Sequence, residues 1–127
     1  MGDLLVEEIK SKNENDWVSN EAVNLFFYKE RNIIGTASIS SVDTEIGFLY
    51  NLEVMNKYRG NKYSYDIMNY ITSNYKINEL TVSKSNIIAI NLYKKYGFKI
   101  VREFRYNNEI YFDMKINKDL WGDIYDC

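Results

Sequence analysis

Residues 86–98 read Asn-Ile-Ile-Ala-Ile-Asn-Leu-Tyr-Lys-Lys-Tyr-Gly-Phe, and the reading of this stretch decides the fold. Ala89, Leu92, Tyr93 and Tyr96 recur at three and four residues, which is the spacing of one helix face. Gly97 then ends the helix as a left-handed cap, and Phe98 is the apolar residue that folds back onto it. Asn86, Ala89 and Tyr93 fall at i, i+3 and i+7, so an amide, a small residue and a phenol share one stripe. On spacing alone such a stripe reads first as an N-cap, a packing contact and a core aromatic, with a row of groups facing a ligand as the alternative.

Outward from this helix the periodicity changes twice. Residues 78–83 read as a strand before it, and from Asn61 a second helix is marked by Ser64, Ile67, Met68, Ile71 and Tyr75. Ile46–Val54 alternates as a strand, with Phe48, Tyr50, Leu52 and Val54 on one face and Leu49, Asn51 and Glu53 on the other. Runs 25–29 and 32–42 form a hairpin joined at Lys29-Glu30-Arg31-Asn32, residues 3–9 alternate weakly, and the polar stretch 11–22 suits a short helix over Asp16–Val23. After the helix, 99–106 and 109–116 are strands around Asn107-Asn108, a tight turn whose Asn residues tolerate positive φ. An exposed last strand at 109–116 is free to pair across a homodimer.

Composition narrows the chemistry. The chain has 127 residues, 46% hydrophobic and 27% charged, without repeat or low-complexity linker, and reads as a single domain over 1–127. There is no histidine, no proline and one cysteine, Cys127. Triad hydrolases need an imidazole and zinc sites need His or several Cys, so both are excluded, no metal is expected and no disulfide can form within the chain. Proton chemistry is left to carboxylates, lysines, water or the 12 tyrosines. A net charge of −2 gives no bulk attraction to nucleic acid or an acidic membrane surface. Residues 1–60 hold 6 basic and 10 acidic groups (−4) and 61–127 hold 10 and 8 (+2), so a cationic partner suits the first half. No apolar run is long enough to span a membrane and Asp3, Glu7 and Glu8 spoil a signal peptide, so a cytoplasmic protein is expected.

The next feature is a strand-turn-helix that reads either as a plain connection or as a phosphate site. Strand 46–54 leads through Asn56-Lys57-Tyr58-Arg59-Gly60-Asn61-Lys62-Tyr63-Ser64 into a helix, whose first N–H groups point at one spot. Gly60 permits the turn, while Arg59 and Lys62 add positive charge.

Together the two segments resemble the GNAT superfamily of acetyl-CoA-dependent N-acetyltransferases. Its signature is a strand ending in Leu-x-Val, an (Arg/Gln)-x-x-Gly-x-(Gly/Ala) loop and a downstream Asn-x-x-Ala-x-x-Leu-Tyr-x-x-x-Gly-Phe. Leu52-Glu53-Val54 and Asn86, Ala89, Leu92, Tyr93, Gly97 and Phe98 fit it over about residues 25–116. The loop departs from it: Arg59 is kept, but Lys62 replaces the first Gly and Ser64 the last small residue. Lys62 must therefore hold a strained conformation or move the loop outward, with weaker cofactor binding or rescue by its ammonium group.

The resemblance implies an α/β fold with a mixed, mostly antiparallel sheet of about six or seven strands, splayed between 46–54 and 78–83, and three or four helices. It also implies acetyl-CoA as cosubstrate and an amine acceptor. Leu52, Val54 and their neighbours would turn backbone N–H groups to the thioester carbonyl, and the amides of Arg59, Gly60, Asn61, Lys62, Tyr63 and Ser64 would take the pyrophosphate. Asn86 and Ala89 would meet the pantetheine arm, and Tyr93 would protonate the departing thiolate. Direct attack by an amine needs only a placed donor and such an acid, so no histidine is required. The likeness runs nearest to the ribosomal-protein alanine N-acetyltransferases, but Thr81 stands where their strand carries a glutamate base, and their Arg-x-Tyr-Tyr stretch survives only as Arg105-Tyr106. Glu53 or a bound water is left as the base. A short 11–23 segment implies an open acceptor site, suited to a peptide or protein N-terminus, a lysine or a small amine. The missing glycines and base also fit a non-catalytic module on the same fold that binds CoA or a protein.

Overall fold

The computed structural model describes residues 4–13, 20–40, 47–60 and 62–116. The chain divides into two compact units, Met1–Ile77 and Asn78–Cys127.

In the first unit four strands pair antiparallel in chain order: β1 (Leu5–Asn13), β2 (Asn20–Lys29), β3 (Asn32–Ser40) and β4 (Gly47–Val54). Alternation dictates which face is buried. Val23, Leu25 and Phe27 of β2 lie opposite Ile39, Ala37 and Gly35 of β3, and all five of these with a side chain are inaccessible. Helix α1 (Tyr63–Asn74) closes that face with Ile67, Met68 and Ile71, all fully buried. Each such side chain contributes about 1.5–3 kcal/mol by leaving water. Gly35 makes the close approach possible, because a Cβ there would lie 2.7 Å from both the Glu53 carbonyl oxygen and Ile67 Cδ1. The hairpin turn between β2 and β3 puts Glu30 and Arg31 at φ 51° and 70°, the left-handed pair that a tight hairpin requires.

One irregularity positions the later site. Between Tyr50, opposite Ser38, and Glu53, opposite Thr36, β4 carries one extra residue, and Asn51 there has φ 56°. The bulge reverses the alternation read from sequence. Leu49 and Val54 share the core-facing side opposite Ile39 and Gly35, whereas Tyr50 and Glu53 share the other side.

In the second unit β5 (Ile77–Ser83), β7 (Glu109–Ile116) and β6 (Phe98–Tyr106) pair antiparallel in that spatial order. Leu80, Met114 and Phe98 are buried on one face together with Ile90, Leu92 and Tyr93 of helix α2 (Ile87–Lys95), and the Tyr93 and Phe98 rings meet edge to face at 6.4 Å. Asn107 and Asn108, at φ 49° and 64°, form the turn between β6 and β7.

Three expectations change. Two α-helices and one 3-10 turn (Asn56–Tyr58) are found among the described residues, fewer helices than the three or four expected. The helix expected over Asp16–Val23 fails where it is described: residues 20–23 open β2, since the alternation of Val23, Leu25 and Phe27 extends back to Asn20 and pairs with β1. Residues 14–19 lie outside the described residues. Finally, 109–116 is not an exposed strand free for a partner copy, because β7 is flanked by β5 and β6; the strand with a single neighbour in this unit is β6.

A carboxylate ties α1 to the first strand. Glu8 Oε1 accepts from the hydroxyls of Tyr75 (2.7 Å) and Tyr70 (2.8 Å), and those two bonds hold its pKa below the ordinary value. The Tyr70 ring also meets Phe27 edge-on at 5.7 Å. Glu8 thus binds more protons unfolded than folded near its titration, so its contribution is complete above the unfolded value and lost as pH falls through the folded one. Replacing Glu8 with Gln is expected to lower stability by about 1 kcal/mol at neutral pH, given the exposure of the carboxylate. In urea melts the difference should shrink once pH drops below about 4.3, the ordinary glutamate value. A constant difference from pH 7 to pH 3 would show that the clasp contributes nothing as an ion.

Candidate active site

In the first unit the end of β4 and the loop to α1 carry one group of candidate residues. Beyond the bulge, Leu52 and Val54 are half-buried and Glu53 is exposed. Met55 N–H donates to the Ile34 carbonyl, after which the single 3-10 turn leads to Arg59. Arg59 folds back: its Nε donates to the Val54 carbonyl at 2.9 Å, and Nη2 stands 4.0 Å from Glu53 Oε1. Both charged side chains are more than half exposed, so this pair orients the loop more than it stabilises it.

Gly60 then takes φ 83°, and a Cβ at that position would meet nothing within 4 Å. The space beside it is open and only the backbone conformation demands glycine. Lys62, the N-cap of α1, has φ 63° and ψ 14°. Of the two outcomes open to a lysine at this position, the left-handed conformation is the one adopted. Asn61 lies outside the described residues. With Tyr65 N–H donating to the Lys62 carbonyl at 3.1 Å, the helix begins at once, and the N–H groups before Tyr65 have no partner within the helix. Tyr63 and Ser64 are half-buried in that first turn; Lys29 Nζ lies 5.0 Å above the Tyr63 ring, and Tyr58 meets the same ring edge-on at 5.8 Å. Two left-handed residues before a 12-residue helix make a backbone cradle of positive potential, which fits a pyrophosphate.

In the second unit α2 carries another group. Asn86 is its N-cap, with Oδ1 accepting from Ala89 N–H at 3.2 Å. The capping role therefore occupies the amide oxygen, and the amide nitrogen is the group left to donate. Lys94 and Lys95 stand in the last turn, where the helix dipole favours cations. Tyr93 is 4% exposed, and burial pushes its phenol well above the ordinary tyrosine value, so it carries its proton throughout the physiological range.

A third group was not read from the sequence. On the face of the second unit opposite α2, Thr81 of β5, Asp113 of β7 and Arg102 of β6 stand in one row. Thr81 Oγ1 donates to Asp113 Oδ1 at 2.9 Å; Arg102 donates to Asp113 Oδ2 from Nε at 2.8 Å and from Nη2 at 2.6 Å. The signal available was an acid flanked by Phe112 and Met114 in an alternating strand, with its row completed only by cross-strand register.

Comparison with known proteins shows the family. Residues 4–98 match the model of the acetyltransferase (GNAT) family, and the chain belongs to that family. It is an acyltransferase by that membership, as the motif at 86–98 implied. No curated protein matches the chain by sequence. Among solved structures it is similar to the ribosomal-protein-S18-alanine N-acetyltransferase of Escherichia coli, at 19% identity over 75% of this chain and 68% of that one, with TM-score 0.66. It is also similar to the IAA acetyltransferase of Bacillus cereus ATCC 14579, at 14% identity over 75% and 77% with TM-score 0.63. The Arabidopsis thaliana Naa50 in complex with the bisubstrate analogue CoA-Ac-MVNAL is similar at 21% identity over 74% and 72%, with TM-score 0.57. These likenesses are of fold.

Because a side chain at φ 63° pays for its left-handed backbone, Lys62→Gly is expected to stabilise the protein by about 0.5–1 kcal/mol, net of the extra freedom of glycine in the unfolded chain. Urea denaturation measures this; a lower midpoint at unchanged slope would show that the lysine side chain holds the loop.

Proposed function

We propose that the chain, as a single domain over 1–127, transfers an acetyl group from acetyl-CoA to a primary amine by direct attack in a ternary complex. The acceptor is a peptide or protein N-terminus, a lysine or a small amine. The observation that carries this reading is Tyr93: a buried, protonated phenol on an Asn86-capped helix, in a chain of the GNAT family.

Acetyl-CoA, when bound, supplies an activated acyl group on a thiol leaving group. In this reading the N–H groups from Arg59 through Gly60, Asn61, Lys62, Tyr63 and Ser64 bind the pyrophosphate, with the Lys62 ammonium compensating for a glycine. Leu52 and Val54, at the end of β4, orient the thioester carbonyl through their backbone. Asn86 donates its amide N–H to the pantetheine arm beside the small Ala89. Tyr93 gives its proton to the departing thiolate as the C–S bond breaks. Glu53 is less suited to receive the amine's proton, because its carboxylate is exposed and shared with Arg59. A cationic acceptor agrees with the −4 balance of residues 1–60.

Thermal shift tests the cosubstrate. Acetyl-CoA at 100 times its Kd should stabilise the protein by about 2.7 kcal/mol, and an unmoved melting temperature at millimolar ligand would sink the reading. Tyr93→Phe, which keeps the ring and its packing on Phe98, is expected to lower kcat by about 10²-fold in a thiol-release assay while leaving the acetyl-CoA KM unchanged. Unchanged turnover would remove Tyr93 as the acid.

A further inference from the structure

Asp113 is the one buried charged side chain among the described residues, at 7% exposure. Carboxylates are taken out of water only when their oxygens are hydrogen bonded, and replacing such a group by an apolar one is often neutral or stabilising, so its presence calls for a use. Its two oxygens are committed differently. Oδ2 accepts both bonds from Arg102, which is 65% exposed and acts as a clamp from the solvent side. Oδ1 accepts from Thr81, its direct cross-strand partner. The clamp depends on a bulge: Ile100 lies opposite Met114 and Arg102 opposite Asp113, so β6 spends one extra residue, Val101, between two successive partners on β7. Were the strand regular through Val101, Arg102, two residues on, would fall on the apolar face with Ile100. The rest of the row is ordinary surface pairing, Glu79 with Lys115 beside it and Ser83 with Glu109 beyond.

Thr81 is the half-buried, reachable end of this row. Because its only proton is given to Asp113, its oxygen presents lone pairs alone to anything that approaches, and an amine N–H is the matching donor. We propose that Thr81 receives a proton from the attacking amine and passes its own to Asp113, so that the Thr81–Asp113–Arg102 row acts as the base of the reaction. This rests on the acetyl-transfer reading above. As the N–C bond forms and the C–S bond breaks, one amine proton moves to Thr81 Oγ1, the Thr81 hydroxyl proton moves to Asp113 Oδ1, and the Tyr93 proton moves to the thiolate. Asp113 then loses its proton to water and Tyr93 regains one, so the balance is one proton from amine to thiol. Donor and acceptor come from opposite faces of the second unit's sheet: Tyr93 packs on the Phe98 side and Thr81 lies on the Asp113 side. Thr81 is the catalytic residue; Asp113 and Arg102 act through it.

The test is the pH profile of kcat for the whole chain with acetyl-CoA and an amine accepted by the wild-type protein, compared among Thr81→Ser, Thr81→Val and Asp113→Asn. Thr81→Ser keeps the hydroxyl and is expected to recover most of the rate. Thr81→Val and Asp113→Asn are expected to lose about 10²-fold in kcat at unchanged acetyl-CoA KM, with the acid limb of the profile replaced by a rate proportional to hydroxide. Thr81→Val fills the same space, so it answers the question even where Asp113→Asn unfolds. Wild-type kcat and pH limb in Thr81→Val would overturn this proposal alone, as would a loss shared equally by Thr81→Ser. Absence of transfer by the wild-type protein, despite a thermal shift with acetyl-CoA, would overturn the acetyl-transfer reading and this proposal with it.

Discussion

A strand that must change which way its side chains face can do so by adding a residue, and β4 in the first unit and β6 in the second each depend on that constraint. In β4 the extra residue at Asn51 sends Val54 back to the core side and Glu53 to the other, so the strand ends with its backbone and Arg59 poised at the loop. In β6 the extra residue at Val101 brings Arg102 across from a buried Asp113. Each bulge gives up some strand pairing and gains a placed polar group. Regular strands would leave neither arrangement.

Around these two points the remaining structure is support. α1 is fixed from below by the Gly35 gap and from the side by Glu8 between Tyr70 and Tyr75, which orients the helix N-terminus that follows Lys62. α2 is fixed by Ile90, Leu92 and the Tyr93–Phe98 contact, which holds the phenol in a dry setting where it stays protonated. The absence of histidine is then consistent with the chemistry, since backbone amides, a phenol and a hydroxyl backed by a carboxylate cover the proton and charge movements of acyl transfer.

Much of this was legible in sequence because it is local. The 86–98 helix, its Asn86 cap and its Gly97 stop follow from spacing and capping chemistry, as do α1 and the Asn107-Asn108 turn. The family was legible for the same reason, its signature being one helix and one loop. What escaped is register. The bulges at Asn51 and Val101 leave no mark in the alternation, and residues 20–23 read as the end of a helix because their partners on β1 were unknown. The place of β7 between β5 and β6, and the Arg59 side chain folding onto Val54, likewise depend on contacts distant in sequence. Thr81 looked like a lost base because the carboxylate that backs it sits 32 residues away on another strand.

The central claim is that this chain moves an acetyl group from a thioester to an amine with its own residues. Mass spectrometry of a panel of peptides with free N-termini, lysine peptides and small polyamines, incubated with the protein and acetyl-CoA, tests it most directly. The account predicts that at least one cationic amine gains a single acetyl group, with free CoA formed in equal amount and neither product seen without the protein. Every amine recovered unmodified, in samples where acetyl-CoA demonstrably binds, would contradict it.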